Sequence, residues 1–374
     1  MNFELPPSAQ LLRDSARDML AARCALSDIR NTLPAQTTGE ADEFGSQLWS
    51  AFANLGWTGL LLPDSYGGSG ASVLDAVILC EELGRACCPM PLVESAIVAP
   101  TLIRQLDPSL TDLLSAVVSG QSTVALALVD DRDYHNPLVA SLALDKPEIR
   151  GVKLLVNRPP NCDKLLVFGR FEGKPACALI AANEPTIRWR PHPTLSVYRF
   201  YDVEFDRTPV SAAKLLGDVT QSGPSIESSF ALGMLGHCAH MLGAADYTLE
   251  LCVDYAKVRE QSGQPIGAHQ AIQHRLADMA YGIDGSRQAL YRAAHEQGNL
   301  PAPTMHAVHV AKAFASRTCL DVVRGAHQIF GAIGFCEEHF LHLYHKHVQA
   351  SSVSFGDEAF HLDEVANAIG LVSG

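Results

Sequence analysis

Basic residues are scarce: 28 Lys and Arg stand against 41 Asp and Glu, a formal net charge of -13 over 374 residues. That deficit argues against nucleic acid as a partner, because phosphates attract basic faces, and leaves solubility as the main effect of the acidic surface. No uninterrupted apolar run reaches the length of a membrane-spanning helix, and Met1 to Pro7 carries neither a basic n-region nor an apolar h-region. A cytoplasmic protein without membrane insertion is expected. The ten cysteines, Cys24, Cys80, Cys87, Cys88, Cys162, Cys177, Cys238, Cys252, Cys319 and Cys336, form no C-x-x-C pair and read as buried, reduced thiols. Also missing are the G-x-S-x-G elbow of serine hydrolases and an H-E-x-x-H zinc motif. The glycines of Pro63 to Gly70 lack the Lys-Ser/Thr of a phosphate loop and read as a tight turn between core helices.

What is present suits a globular chain of two or three packed units, with 47% apolar residues. Leu12, Ala16, Met19 and Leu20 form one helical stripe, Phe44, Leu48, Phe52 and Leu55 a second, and Val73, Val77, Ile78 and Leu83 a third that Gly84 is expected to end. From about Ser122 short β-rich runs take over: 124–129, 153–156, 165–168, 176–180 and the alternating 198–205. After Pro224 the helical period returns through Phe230, Met234, Cys238, Met241, Ala245, Leu249 and Cys252. Further stripes follow at Ile272, Leu276, Met279 and Ile283, and from Val308 to Val323. The expected fold is α+β but mostly α: a helical domain over 1–118, a β domain over 119–223, and a four-helix bundle over 224–374.

Two segments carry the most specific signal. Arg259-Glu260-Gln261-Ser262-Gly263-Gln264-Pro265-Ile266 is followed by Gln270, and Gln328-Ile329-Phe330-Gly331-Ala332-Ile333-Gly334-Phe335 lies one helix pair downstream. Together they resemble the C-terminal half of the acyl-CoA dehydrogenases, and the order of helices, β domain and bundle extends the resemblance over nearly the whole chain. Ser262 departs from the aromatic residue usual in the family, and Ala332 from the second glycine. The resemblance implies FAD shared at a subunit interface, with Arg259, Gln270, Gln328 and the backbone at Gly331 holding its diphosphate and adenine end. It also implies α,β-dehydrogenation of an acyl-CoA, in which a carboxylate takes the α-proton while the β-hydride goes to the flavin.

The same comparison finds gaps. The family's usual base aligns with Phe355, in Ser354-Phe355-Gly356-Asp357, and the alternative base position on the long helix aligns with Gly233. Asp357, Glu358 and Glu227 are the remaining carboxylate candidates, each with an ordinary reading as a turn or first-turn charge. The flavin-contacting loop of the family is replaced by Asp130 to His135, and the Trp-Ile-Thr/Ser segment by Lys153 to Pro159. The expectation is therefore no catalytic residue in this chain and no metal. The chain would serve as partner to a homologous catalytic subunit in an α2β2 heterotetramer, alongside an electron-transfer acceptor. The stretch Glu338 to Lys346 resembles heteromeric members linked to bacterial sterol side-chain breakdown. A self-sufficient homotetramer with a relocated base, or a flavin-free interaction protein, are the alternatives. His339, His342, His345 and His347 share helical spacing but lack an accompanying ligand set, and read as a polar or interface helix end.

Overall fold

The computed structural model describes residues 5–32, 43–130, 136–299 and 305–371. Six helices come first: α1 (Pro7–Arg23), α2 (Leu26–Thr32), α3 (Glu43–Asn54), α4 (Val73–Arg85), α5 (Ala99–Leu106) and α6 (Thr111–Val118). Helix α4 starts at a capping box, in which Ser72 and Asp75 each accept a hydrogen bond from the other's backbone N–H. Gly84 does not end it. The helix runs on through Arg85, and Gly84 instead lies against α7, where an added Cβ would come 2.0 Å from the His240 carbonyl oxygen.

The β region holds two small sheets. Strands β1 (Val124–Ala127), β3 (Lys164–Phe171), β4 (Lys174–Ala181) and β7 (Ala213–Leu215) lie in the order β1-β3-β4-β7. Strands β2 (Glu148–Asn157), β6 (Phe200–Pro209) and β5 (Ile187–Pro191) form the other, antiparallel, in the order β2-β6-β5. Between them Ala125, Val167, Ala178, Val203 and Phe205 belong to a private core, while Leu126, Leu166, Phe168 and Leu179, on the other face of the first sheet, join the main helical core. A sheet buried on both faces needs apolar residues at every position, so 124–127 and 165–168 are continuous apolar runs without alternation.

The C-terminal helices are α7 (Ser222–Val258), α8 (Gln270–Asn299), α9 (Met305–Phe330), α10 (Leu341–Val353) and α11 (Glu358–Ala368). Helix α7 is the axis of the molecule. From Ser229 to Ala245 each of its residues is buried, so its middle has no solvent face and the single apolar stripe expected from the sequence is only part of the pattern. It can be surrounded because its glycines admit neighbours: a Cβ on Gly243 would meet the Glu81 carbonyl oxygen of α4 at 1.8 Å. Of the ten cysteines, all but the half-buried Cys162 and the exposed Cys336 are buried thiols. Among the described residues no helix is long and apolar enough to cross a membrane.

Gly243→Ala is expected to destabilise the fold by about 1–3 kcal/mol, because backbone rather than a movable side chain occupies the space. Gly223→Ala, on the same helix with nothing within 4 Å of its added Cβ, should be neutral or slightly stabilising. Urea titration of both variants beside the parent checks the contrast, and an equal loss at both sites would refute it.

Candidate functional site

Helices α7 and α9 end side by side, as the stacked rings of Tyr255 and Phe330, 4.4 Å between centroids, establish. After α7 the chain turns back in a two-residue hairpin between β8 (Glu260–Gln261) and β9 (Gln264–Pro265), with Ser262 and Gly263 at φ +56° and +81°. Two residues with positive φ suit the right-handed twist of such a hairpin. The hairpin is tied down by Ile266 N–H donating to Arg259 O at 2.8 Å and by Gln273 Nε2 donating to Gly267 O at 2.9 Å. Arg259, Gln270, Gln328 and Gly331 thus gather at one end of the bundle, all exposed. The Arg259 guanidinium makes no ion pair among the described residues. Gly331 has φ +63° and open space around a built Cβ, so its backbone conformation rather than crowding requires glycine there.

A cavity of about 810 Å³ lies between the β region and the C-terminal helices, and His327 and Phe335, which flank the Gln328 and Gly331 segment, are part of its lining. Leu126, Leu128 and Val129 at the end of β1, Leu154 and Leu155 of β2, Phe335, and His342, His345 and Lys346 of α10 line it. Strand β2 bulges between Lys153 and Val156, and Leu155 takes φ +53° on the cavity wall. Beneath the bulge the fully buried Lys153 is ion-paired to Asp130 and donates to Leu128 O at 3.1 Å. Desolvation lowers the Lys153 pKa, and the Asp130 charge opposes that shift. Asp130 is therefore neutralised inside the β region and does not line the cavity, contrary to its expected place facing a flavin. The rest of that loop, Asp131 to His135, lies outside the described residues.

Both positions that the resemblance assigns to a base meet at one point in space. A Cβ built on Gly233 would fall 2.2 Å from Phe355 Cε1, so the phenyl ring covers the glycine. The ring also packs on Phe230 and His237, at centroid distances of 5.0 and 5.3 Å. Phe355 is held at φ +59° from behind. Lys312, fully buried, donates to Ser352 O and Gly356 O at 2.9 Å each, and burial lowers its pKa to about 8. His361 Nε2 lies 3.1 Å from Phe355 O and so donates to it, which leaves its Nδ1 to accept from His309 Nδ1 at 2.8 Å. Of the remaining carboxylates, Asp357 lines the cavity but caps α11 by accepting from Phe360 N–H at 2.9 Å. Glu358 lies outside the cavity lining and Glu227 is exposed on α7.

The histidines of α10, and His339 just before it, have separate surroundings. His347 is buried and stacks on His240, His345 lies against His327, and His339 against Phe330. His342 Nε2 is 3.4 Å from Glu337 O.

One part of the cavity has no forecast in the sequence motifs. Val93–Val98 forms a buried π-helical turn leading into α5. Pro100 offers no N–H to the Ala96 carbonyl and its ring crowds that oxygen, a local reason for the helix to widen here. The turn carries Glu94 to the cavity floor, where its Oε1 is 3.3 Å from His237 Nε2 and 3.5 Å from Asn157 Nδ2. Behind it the Tyr198 hydroxyl and His240 Nδ1 share a hydrogen bond of 2.6 Å. His237 Nδ1, His240 Nε2, Asn157 Oδ1 and both nitrogens of His347 are buried without a protein partner. A signal is nonetheless available: Glu94 is the one charged residue in the apolar stretch 91–103.

This helical, β and helical order, with a glycine-marked bundle end and a cavity between sheet and bundle, is that of a flavin-dependent dehydrogenase fold. Residues 6–110 match the family model for the acyl-CoA dehydrogenase N-terminal domain, and residues 223–370 the model for the acyl-CoA dehydrogenase C-terminal domain. The chain belongs to the acyl-CoA dehydrogenase family, whose cofactor is FAD. It is 27% identical to acyl-CoA dehydrogenase IpdE2 of Mycobacterium tuberculosis, covering 93% of this chain and 92% of that protein. Among solved structures, a single-residue variant of the Tcur3481-Tcur3483 steroid acyl-CoA dehydrogenase is 26% identical with a TM-score of 0.84, covering 97% of this chain and 98% of that one. A chain of the ChsE4-ChsE5 complex from Mycobacterium tuberculosis shares the fold at a TM-score of 0.85 and 23% identity, covering 100% of each chain.

Burial lowers the His347 pKa to about 3, helped by the nearby His237. The unfolded chain takes up this proton near pH 6.5 and the folded chain only near 3, so the stability tied to the neutral ring is complete above pH 6.5 and is lost as pH falls through that window. His347→Leu should leave stability near pH 7 little changed and make the acid-side loss shallower by up to about 1.4 kcal/mol per pH unit. Urea unfolding at neutral and acidic pH measures the two slopes; parallel slopes would mean that His347 does not contribute.

Proposed function

We propose that this chain is the nucleotide-holding partner in a hetero-oligomeric, FAD-dependent acyl-CoA dehydrogenase, paired with a homologous subunit that supplies the base. The observation that carries this reading is the Phe355 ring lying on Gly233, with hydrocarbon at both base positions of the fold. A phenyl ring cannot accept the α-proton. The opposite end of the bundle fits the nucleotide. Arg259 offers a forked donor without a competing carboxylate, suited to a diphosphate oxygen. Gln270 and Gln328 are exposed amides beside it, and the backbone at Gly331 leaves room for close approach. FAD, when bound, supplies hydride acceptance at the β-carbon. This chain's part is to position the nucleotide tail, in an α2β2 assembly that passes electrons to a separate acceptor. Acyl-CoA thioesters of steroid side chains are the proposed substrates, supported by the likeness to a steroid acyl-CoA dehydrogenase.

A second reading, a self-sufficient enzyme, is favoured by the carboxylates of Asp357 and Glu94, both of which line the cavity. Expression of the chain alone and together with the product of a neighbouring gene separates the readings. Yellow colour and acyl-CoA turnover only on co-expression is the expected result. Turnover by the isolated chain would establish the second reading, and colourless protein under both conditions would leave a flavin-free interaction protein. In the complex, Arg259→Ala should lower flavin occupancy by about tenfold or more at limiting FAD, given the strength of charge-assisted hydrogen bonds to phosphate. Unchanged occupancy would remove Arg259 from the site.

A further inference from the structure

We propose that the cavity of this chain is itself a binding site, for an apolar alcohol of fused-ring size whose hydroxyl donates to the Glu94 carboxylate. The inference rests on the reading above in one respect, that the flavin ring is seated elsewhere.

Volume comes first. About 810 Å³ is in the range of cavities that hold drug-sized ligands, and leucine, valine and phenylalanine side chains share the walls with His342, His345, Lys346 and Gln349. Such a cavity favours an apolar body of several rings. The polarity of the floor then selects the end group. His237 Nε2–H donates to Glu94 Oε1, which leaves Glu94 Oε2 without a protein hydrogen bond among the described residues. Asn157 places Nδ2 toward the same carboxylate, and the reverse orientation would set oxygen against oxygen; its Oδ1 is buried and unpartnered. Next to His237 the floor therefore presents one open acceptor, Glu94 Oε2.

A hydroxyl can donate to this oxygen. A ketone offers only acceptors and would leave the carboxylate oxygen unsatisfied, and an alkane would do the same. An anion is repelled by Glu94. An ammonium would pass Lys346 at the cavity wall and lose its hydration, so a neutral donor fits better. The π-helical turn is what makes the floor, because it brings Glu94 and the His237 side chain within hydrogen-bonding distance inside an otherwise apolar stretch.

The test uses a matched series with one hydrocarbon body, androstanol, androstanone and androstane, titrated calorimetrically into the full-length purified chain. Androstanol is expected to bind about tenfold more tightly than either of the others, the effect of one hydrogen bond to a charged acceptor. Glu94→Leu should abolish that preference while leaving androstane binding intact or stronger. Glu94→Gln, which introduces an amide donor of the same size, should shift the preference toward androstanone. Equal binding of alcohol and ketone by the parent chain would overturn the proposal, as would a preference that survives Glu94→Leu, or binding of none of the three. Visible flavin absorbance is recorded on the same samples. Colour in the isolated chain sinks the partner reading, whereas loss of discrimination in colourless protein sinks only the alcohol site.

Discussion

A single ammonium group in the interior decides the character of the cavity. Lys312 has no carboxylate within ion-pairing distance among the described residues; its charge is met by the Ser352 and Gly356 carbonyls, with Ser316 Oγ at 3.4 Å. Burying a cation costs several kcal/mol unless hydrogen bonds replace its water, and the end of α10 supplies carbonyl oxygens that have no helical N–H to accept from. The pKa of about 8 leaves the group mainly protonated at neutral pH, so these bonds are made by a charge. Their consequence is positional. With Ser352 and Gly356 both drawn to Lys312 and Phe355 O to His361, the residue between them has little freedom, and its ring is directed onto Gly233. Restoring a carboxylate there would require the same clamp to present a charged group against Phe230 and His237, in surroundings that favour its neutral form.

The clamped segment is part of the cavity wall, through Val353, Ser354, Phe355 and Asp357. At the bundle end Arg259 is exposed and makes no ion pair among the described residues. The cavity joins hydrocarbon from β1, β2 and Phe335 to His342, His345 and Lys346 of α10, over a floor that carries the Glu94 carboxylate. A site built to generate an enolate needs donors aimed at the thioester oxygen and a base beside the α-carbon. The floor around Glu94 and Asn157 has the opposite polarity.

Much of the architecture can be read from residue spacing, because buried helices and turns leave strong local marks. The three-and-four spacing through Phe230, Met234, Cys238 and Met241 locates α7, and the arginine and glutamine segments locate the bundle end. What spacing does not convey is that Ser229 to Ala245 is enclosed on all sides, since periodicity reports one face and not its absence. Gly84 departs from expectation for a related reason: a glycine late in a helix has the same local appearance whether it terminates the helix or admits a neighbouring backbone, and only the approach of His240 distinguishes them. Leu55, expected in the second apolar stripe, lies beyond the end of α3 and is 45% exposed.

The site divides in the same way. Phe355 and Gly233 are each legible as empty base positions in their local segments, although they are far apart in sequence; that one covers the other is tertiary information. Glu94 escapes sequence reading because its partners, Asn157 and His237, come from a β-strand and from α7, and no motif links the three. Asp130 shows the complementary error. In sequence it is the first of an acidic pair and suggests a repelling charge beside a cofactor, yet one residue on β2, Lys153, cancels it inside the β region. Charge at a strand end therefore says little about a cavity until its pairing is known, whereas a lone carboxylate within an apolar run must find a buried partner or an opening, and Glu94 has both.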